Sequence, residues 1–334
     1  MKILVTGGVG YIGSHTAVEL VLAGHEVVLY DNLTNSNSSV VDAIEKIVEK
    51  KISLIEGDVR DTNLLINCFK QFEINAVMHF AGLKAVGDSV INPIEYFSNN
   101  VQGAISLLQA MQKVGIKKLV FSSSATVYGE PKYLPVDEMH PLRVTNPYGR
   151  TKLHIEEMLS DVSKSDAEWG VVCLRYFNPV GAHVSGLIGE SAKGVANNLM
   201  PYIVQVASGE KPKLNIFGSD YPTLDGTGVR DYLHIMDLAQ GHLAALKYLN
   251  NNKGWHAFNL GTGIGYSVLQ VVEAFSKVSG KSIPYALCPR REGDVPQCYA
   301  DPTKSNQLLA WFASQNIHAM CESAWNYQTK TPSQ

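Results

Sequence analysis

The stretch "NPYGRTK" sets Tyr148 and Lys152 four residues apart, directly after Pro147. On a helix that spacing stacks the two side chains on one face, so a phenol and an ammonium point into the same space. A nearby positive charge favours the phenolate of a group whose unperturbed pKa is ~10, which makes the pair a candidate acid/base for a hydroxyl proton. An exposed helical pair has the same spacing, and these two residues alone leave both readings open. A third polar group comes from "KLVFSSSATVYG", an apolar run that ends in Ser122, Ser123 and Ser124. Open α/β sheets hold ligands at the carboxyl ends of their strands, so Ser124 is the candidate to hydrogen-bond a reacting oxygen. Ser122 and Ser123 serve equally well as turn formers.

Such residues need a scaffold, and the first half of the chain supplies its outline. "KILVTGG", "EVVLYDN", "ISLIEGD", "AVMHFAG", "KLVFSSS" and "GVVCLRYFN" alternate with helix-like segments. Continuous apolar runs of this kind suit strands covered on both faces, so the pattern predicts an α/β, Rossmann-type, doubly wound parallel sheet. Residues 1–177 form the nucleotide-binding domain, with later returns to the sheet near 230–262. Residues 178–334 form mainly a smaller C-terminal α/β lobe. Within it Val268, Val271, Val272 and Phe275 fall at helical spacing, and Pro147 suits the first position of a helix.

In "VTGGVGYIGSH" a strand runs into a helix through Gly7, Gly8, Gly10 and Gly13. The last three satisfy G-x-G-x-x-G, which lets backbone approach a pyrophosphate at a helix N-terminus, where free amides favour anions. Asp31 ends the next apolar run, placed to accept from both ribose hydroxyls, and its carboxylate would repel a 2′-phosphate. NAD is therefore the expected cofactor, and an oxidised nicotinamide ring would add its charge to that of Lys152. A generic glycine turn with a surface aspartate is the competing reading.

The 28 Lys and Arg against 31 Asp and Glu leave a net charge of -3, so no polyanionic partner is demanded and nucleic acid is not expected. No apolar run approaches the ~18 residues of a membrane span. "MKILVTGG" enters a strand without a leader-like segment, so an untargeted, cytoplasmic protein is expected. Cys68, Cys173, Cys288, Cys298 and Cys321 form no C-x-x-C pair, and the ten histidines show no ligand spacing. A reducing compartment and no metal are the expectations.

The motifs "VTGGVGYIGSH", "HFAGLKAVGDS", "FSSSATVYG", "NPYGRTK", "LRYFNPVGA", "NNLMPYI", "DGTGVRDYLH" and "RREGD" occur in one order along the chain. In them the sequence resembles the extended short-chain dehydrogenase/reductases, most closely the UDP-galactose (UDP-glucose) 4-epimerases. The resemblance implies NAD reduced and reoxidised within each turnover, a 4-keto sugar that turns over, UDP-hexose substrates and a homodimer. It implies Tyr148 as acid/base, Lys152 on the nicotinamide ribose and Ser124 on the 4-oxygen. It places NAD against Gly7, Gly10, Tyr11, Ile12, Gly13, Asp31, Asn32, Leu33, Thr34, Asn35, Ser36, Asp58, Val59, Phe80, Ala81, Gly82, Leu83, Lys84, Asn99 and Phe177. It places the UDP-sugar against Lys84, Asn178, Asn198, Leu199, Asn215, Ile216, Phe217, Arg230, Tyr232, Arg291 and Asp294. A role in galactose metabolism or polysaccharide synthesis is implied as well.

Where sugar-restricted relatives carry a tyrosine four residues after the aspartate of "RREGD", this chain has Cys298. The smaller side chain implies a wider sugar pocket that admits a 2-acetamido group, hence UDP-GlcNAc/UDP-GalNAc interconversion besides the glucose/galactose pair. A 4,6-dehydratase is disfavoured because Ala125 and Thr126 stand where dehydratases of the superfamily carry Asp-Glu. A UDP-glucuronate 4-epimerase and a non-catalytic NAD-sensing regulator remain as alternatives, the latter opposed by the presence of Tyr148, Lys152 and Ser124 together.

Overall fold

The computed structural model describes residues 1–190, 198–291 and 293–330. The six apolar runs form β1 (Lys2–Thr6), β2 (Glu26–Asp31), β3 (Ser53–Glu56), β4 (Ala76–His79), β5 (Lys118–Ser122) and β6 (Gly170–Tyr176). Later come β7 (Asn178–Val180), β8 (Leu214–Phe217), β9 (Val229–His234), β10 (Gly254–Leu260), β11 (Gly265–Ser267), β12 (Tyr285–Cys288) and β13 (Gln297–Cys298). The helices of the first part are α1 (Tyr11–Leu22), α2 (Ser39–Val48), α3 (Thr62–Phe72), α4 (Val86–Ile91), α5 (Pro93–Tyr96), α6 (Gly103–Val114) and α7 (Pro147–Ser165). The remainder are α8 (Leu199–Ala207), α9 (Ile235–Tyr248), α10 (Val268–Ser279), α11 (Thr303–Leu308) and α12 (Ile317–Lys330).

A seven-stranded sheet has the order β10-β6-β5-β4-β1-β2-β3, and every pairing in it is parallel. This is the doubly wound α/β sheet expected from the apolar runs. Both faces are covered. Ile3 and Val5 of β1 pack with Ala17 and Val18 of α1 and Leu238 and Leu246 of α9. Leu4 between them packs on the opposite face with Leu65 and Phe69 of α3 and Leu107 and Met111 of α6. That is why no polar alternation interrupts "KILVT". The strand order reverses between β1 and β4, which opens a crevice at their carboxyl ends.

Between residues 230 and 262 the chain gives β10 to the main sheet, whereas β9 belongs to a small sheet with β7, β11 and β13. A two-stranded parallel pair, β8 with β12, stands apart. These short strands pack with α8, α10 and α12 around Ile203, Ile216, Tyr232, Val271, Phe275 and Met320. Helix α10 begins at the Val268 position read from its periodicity because Ser267 and Gln270 form a capping box, and it stops at Gly280, which takes φ 65°. No described helix is long and apolar enough to cross a membrane.

Three histidines lie in the sheet–helix interior: His15 on α1, His79 on β4 and His242 on α9. Burial holds His15 and His79 down at about 3 and His242 at about 4. They are neutral when folded, so the unfolded chain, whose histidines titrate near ~6.5, takes up protons first on acidification. Stability is expected to be complete above pH ~6.5 and to fall as pH drops below it toward the folded values, by up to ~1.4 kcal/mol per pH unit for each group. Urea midpoints between pH 7 and 4 measure this. His242→Phe is expected to flatten the slope, and an unchanged slope would exclude His242 as a contributor.

Candidate active site

Two helices present their N-termini to the crevice, and the sequence treats them differently. Helix α7 is capped: the Asn146 side chain accepts from Gly149 N at 2.8 Å, and Pro147 follows at the first position. Helix α1 starts at Gly10 with no side-chain cap, so its first amides remain available to a bound anion. The glycine loop before it is packed too tightly for side chains. Gly7 has φ +67°, and a Cβ there would stand 2.6 Å from Ala81 N. A Cβ on Gly13 would stand 2.2 Å from Gly7 O. Backbone can therefore approach a ligand closely here, which is the cradle a pyrophosphate requires. Asp31 closes the loop from β2: its Oδ2 accepts from Val9 N at 3.0 Å, and its Oδ1 accepts from Leu33 N and Ser36 Oγ at 2.9 and 3.0 Å. Leu33 takes a left-handed φ of 57° to make this turn. Asn32, Thr34 and Asn35 are exposed beside it.

The other expected cofactor contacts lie along the same carboxyl edge. Asp58 is ion-paired with Arg60 at 2.7 Å, and hydrogen bonding by that guanidinium holds its carboxyl down at about 2. The Val59 side chain is buried against α6, whereas Tyr11 and Ile12 are half-buried at the start of α1. Tyr11 Oη donates to Gly181 O at 2.7 Å. Phe80 and Ala81 both donate backbone N–H groups to Thr6 O, tying the segment after β4 to β1. Phe177 is buried behind the site with Val127 and Tyr128.

Asn99 is half-buried, and the neighbouring Asn100, which sequence reasoning overlooked, organises this edge. It sits in a π-helical turn (Phe97–Gln102) between α5 and α6. Its Oδ1 accepts from Leu83 N at 2.8 Å, and its Nδ2 donates to Leu83 O and to Thr151 Oγ1, both at 3.0 Å. Thr151 Oγ1 in turn donates to Tyr148 O at 2.7 Å. The loop Phe80–Lys84 is thereby tied to α7 through one buried amide.

On α7, Tyr148 and Lys152 are 8% and 5% exposed, so the exposed-pair reading does not hold. Lys152 Nζ donates to Ser122 O at 2.6 Å and lies 5.9 Å from the Tyr148 ring centroid. Burial lowers the Lys152 ammonium to about 8, opposed by the charge of Glu156. Ser124 Oγ accepts from Thr126 N and Thr126 Oγ1 at 3.2 and 2.9 Å. The expected acidification of Tyr148 joins Lys152 with an oxidised nicotinamide ring, and in the protein alone the phenol is not acidified. Burial pushes it up to about 12, with the Ser124 hydroxyl pulling the other way, because desolvation outweighs its polar neighbours.

The sequence reading does not pick out Glu156 and Arg175, and it leaves Ser123 open between turn former and functional group. Arg175 Nη2 is 2.6 Å from Glu156 Oε2, both side chains are fully buried, and Ser123 Oγ donates to Glu156 Oε1. Two signals pointed there. The four-residue spacing Tyr148–Lys152 extends to Glu156, and Arg175 is a charge inside an apolar strand, which requires a partner. Ser122 and Ser123 are hydrogen-bonded to Tyr176 and Glu156 rather than forming a simple turn.

In the second lobe, Asp294 gathers Arg291 at 2.9 Å and Arg230 at 3.7 Å, and the Arg291 guanidinium lies 5.0 Å from the Phe217 ring centroid. Asn178 and Asn215 are exposed, whereas the side chains of Ile216 and Tyr232 are committed to the lobe core. Leu199 opens α8, and Asn198 before it donates to Glu190 Oε1 at 2.9 Å, as does Lys84 Nζ at 2.9 Å. Glu190 is a further residue that motif reading did not single out. Cys298 pairs in register with Arg230 and packs, partly buried, against the cluster of Val127, Tyr128, Val136, Phe177 and Ala300. Asn197 of "NNLMPYI" and Glu292 of "RREGD" lie outside the described residues.

A family model described as GDP-mannose 4,6 dehydratase matches residues 4–324. The chain is 53% identical over 329 residues to a UDP-glucose 4-epimerase of Bacillus subtilis, covering 98% of this chain and 97% of that protein. It is 52% identical over 339 residues to a human protein of the same name, covering 99% and 97%. Among solved structures, a UDP-glucose 4-epimerase from Bifidobacterium longum in complex with NAD+ and UDP superposes with a TM-score of 0.97 at 50% identity, covering 99% of both chains.

A lysine lowered from 10.5 to about 8 carries its burial cost below pH 8, where it is charged in both folded and unfolded chains. The shift corresponds to roughly 3 kcal/mol. As pH rises from 8 to 10.5 the folded chain has already lost this proton while the unfolded chain holds it, so the parent gains stability relative to Lys152→Met. Denaturant titrations at pH 7 and 10 are expected to show the difference moving in the parent's favour, and a pH-independent difference would refute a depressed Lys152.

Proposed function

The chain belongs to the extended short-chain dehydrogenase/reductases, among the UDP-glucose 4-epimerases, and on that premise we propose that the cleft residues described above epimerise UDP-hexoses at C4. NAD is the cofactor of this family, and a neighbour structure contains it together with UDP. The glycine loop and the uncapped α1 fit its pyrophosphate, and Asp31 fits its adenosine ribose. Leu33 to Ser36, Asp58, Val59, Phe80 to Lys84, Asn99, Lys152 and Phe177 complete the contact set in this reading. When bound, NAD supplies reversible hydride exchange at C4 and, in its oxidised form, a positive ring beside the phenol.

The chain's own residues move the proton. Tyr148 takes it from the 4-hydroxyl, Ser124 fixes the 4-oxygen, and the Lys152 ammonium stabilises the phenolate. A phenol held at about 12 is almost wholly protonated near neutrality, so Lys152 must remain charged to favour the phenolate that acts as the base. The resulting 4-keto sugar turns over and regains its hydrogen on the other face, with Tyr148 returning the proton. Turning requires an anchor away from C4. Arg230 and Arg291 form charge-assisted bonds with the diphosphate, and Asp294 aligns both guanidiniums. The observation that carries this reading is the convergence of Tyr148, Lys152 and Ser124, all buried, at the carboxyl end of β5 in the sheet whose β1 leads into the glycine loop.

Water elimination, as in a dehydratase, requires a further acid/base pair next to the tyrosine. Ala125 and Thr126 follow Ser124, and Thr126 is spent in hydrogen bonds to Ser124, which favours epimerisation. The reading extends to turnover of UDP-GlcNAc and UDP-GalNAc, because half-buried Cys298, in register with Arg230, is smaller than the tyrosine of sugar-restricted relatives. The reading also takes the protein as a cytoplasmic homodimer, for which exposed Val90, Ile91 and Ile94 offer an apolar face.

Tyr148→Phe is expected to lower turnover by about 10³-fold or more while calorimetric UDP-sugar affinity is retained. Near-normal turnover would reassign the base. Cys298→Tyr is expected to abolish UDP-GalNAc turnover and to spare UDP-galactose. Absence of acetamido turnover in the parent would end that part of the proposal.

A further inference from the structure

Behind the proton-transferring residues lies a buried charge pair for which the proposed chemistry has no direct use. Glu156 is 1% exposed and Arg175 2%. Three contacts join them: Arg175 Nη2 to Glu156 Oε2 at 2.6 Å, and Nε to both carboxylate oxygens at 3.1 Å. Arg175 Nη1 also donates to Tyr128 Oη at 3.2 Å, and Tyr128 Oη donates to Asn259 Oδ1 at 2.6 Å. An ion pair so deeply desolvated is poor value as stabilisation alone, since an apolar pair of similar volume often does as well. What it does supply is direction.

Glu156 Oε1 accepts from Ser123 Oγ, and Ser123 stands between two residues of the site. The carbonyl of Ser122 before it receives Lys152 Nζ, and the side chain of Ser124 after it acts on the Tyr148 phenol. Tyr148, Lys152 and Glu156 follow one another at intervals of four on α7, so a single helix face holds the phenol, the ammonium and the carboxylate that fixes the serines. We propose that Glu156, held by Arg175, is a positioning residue that fixes the Ser122–Ser124 segment through the Ser123 hydroxyl, and so sets where Lys152 and Ser124 present their polar atoms to the reaction. This inference rests on the catalytic reading above and adds to it residues that touch neither sugar nor cofactor.

The groups facing Lys152 are Tyr148 and Glu156 on α7, His79 on β4, the Ser122 carbonyl on β5 and Cys173 on β6. Of these Glu156 carries the negative charge that favours the ammonium. Removing that charge is therefore expected to move the alkaline limb of kcat to lower pH.

Glu156→Gln leaves Arg175 buried without its counter-charge and risks the fold, so Ser123 carries the decisive test. Ser123→Ala is expected to lower kcat by about 10- to 100-fold, up to the scale of a reacting group misplaced by about 1 Å, with KM for UDP-galactose and melting temperature close to the parent. Ser123→Thr keeps the hydroxyl and is expected to restore most of kcat. Amide hydrogen exchange of the holoenzyme is expected to quicken over residues 121–126 in Ser123→Ala and not in Ser123→Thr. Parental kcat in Ser123→Ala, or a loss that Ser123→Thr does not restore, overturns the inference. If Tyr148→Phe is inactive while Ser123→Ala is unaffected, the positioning role alone fails; if Tyr148→Phe is fully active, the catalytic reading fails and the inference with it.

Discussion

Keeping a charged amine inside the protein requires every neighbour of Lys152 to be placed for it. Burial works against the ammonium, and its hold on a proton weakens to about 8. Two features keep it charged near neutrality: the Ser122 carbonyl that accepts its hydrogen bond, and Glu156 one helical turn further on. The carbonyl lies at the end of β5, so the sheet must deliver that strand end to α7. The carboxylate would be costly on its own, so Arg175 from β6 neutralises it. One buried charge thus recruits the ends of two central strands and a long helix face.

The cofactor side of the crevice rests on a different constraint, closeness of backbone. Side chains at Gly7 and Gly13 would collide with backbone atoms of the loop and of the segment after β4. The same closeness lets Val9 N reach Asp31 and Ala81 N reach Thr6, so β1, β2 and β4 meet at one point. Asn100 extends this junction to α7 through Thr151.

Much of this was readable before any coordinates. Parallel strands covered on both faces appear as unbroken apolar runs, which is why all six strands of the first half were recognisable, and the four-residue interval made Tyr148 and Lys152 neighbours on a helix. What could not be read has physical reasons. The apolar runs do not encode strand order, and β8, β12 and β13 are too short to show a period. Asn100 lies in the π-helical turn at Phe97–Gln102 and makes its buried contacts to Leu83 and Thr151, which are remote in sequence and so leave no local pattern to read. The phenol's pKa depends on desolvation, a property of the folded interior that spacing cannot report. Arg175 within "GVVCLRYFN" and Glu156 on the period of Tyr148 were visible in principle, because a charge in an apolar run demands its opposite.

In the proposed reaction the two ends of the cleft have opposite mechanical duties. At C4 the proton donor and acceptor must return to one geometry after each half-reaction, and the packing around Lys152, Glu156 and Ser123 leaves them little freedom. The ketone between the half-reactions must nevertheless turn, so the sugar itself cannot be gripped. Restraint then has to come from the far end of the substrate, where Asp294 orients two arginines suited to a diphosphate. In the same proposal Cys298 would bound the sugar, a role that suits a small apolar side chain because it does not hydrogen-bond one face of the ring. Fixed proton transfer, a loosely bounded sugar and a firmly held diphosphate are mutually necessary, since tightening the middle would stop the rotation and loosening the anchor would release the ketone.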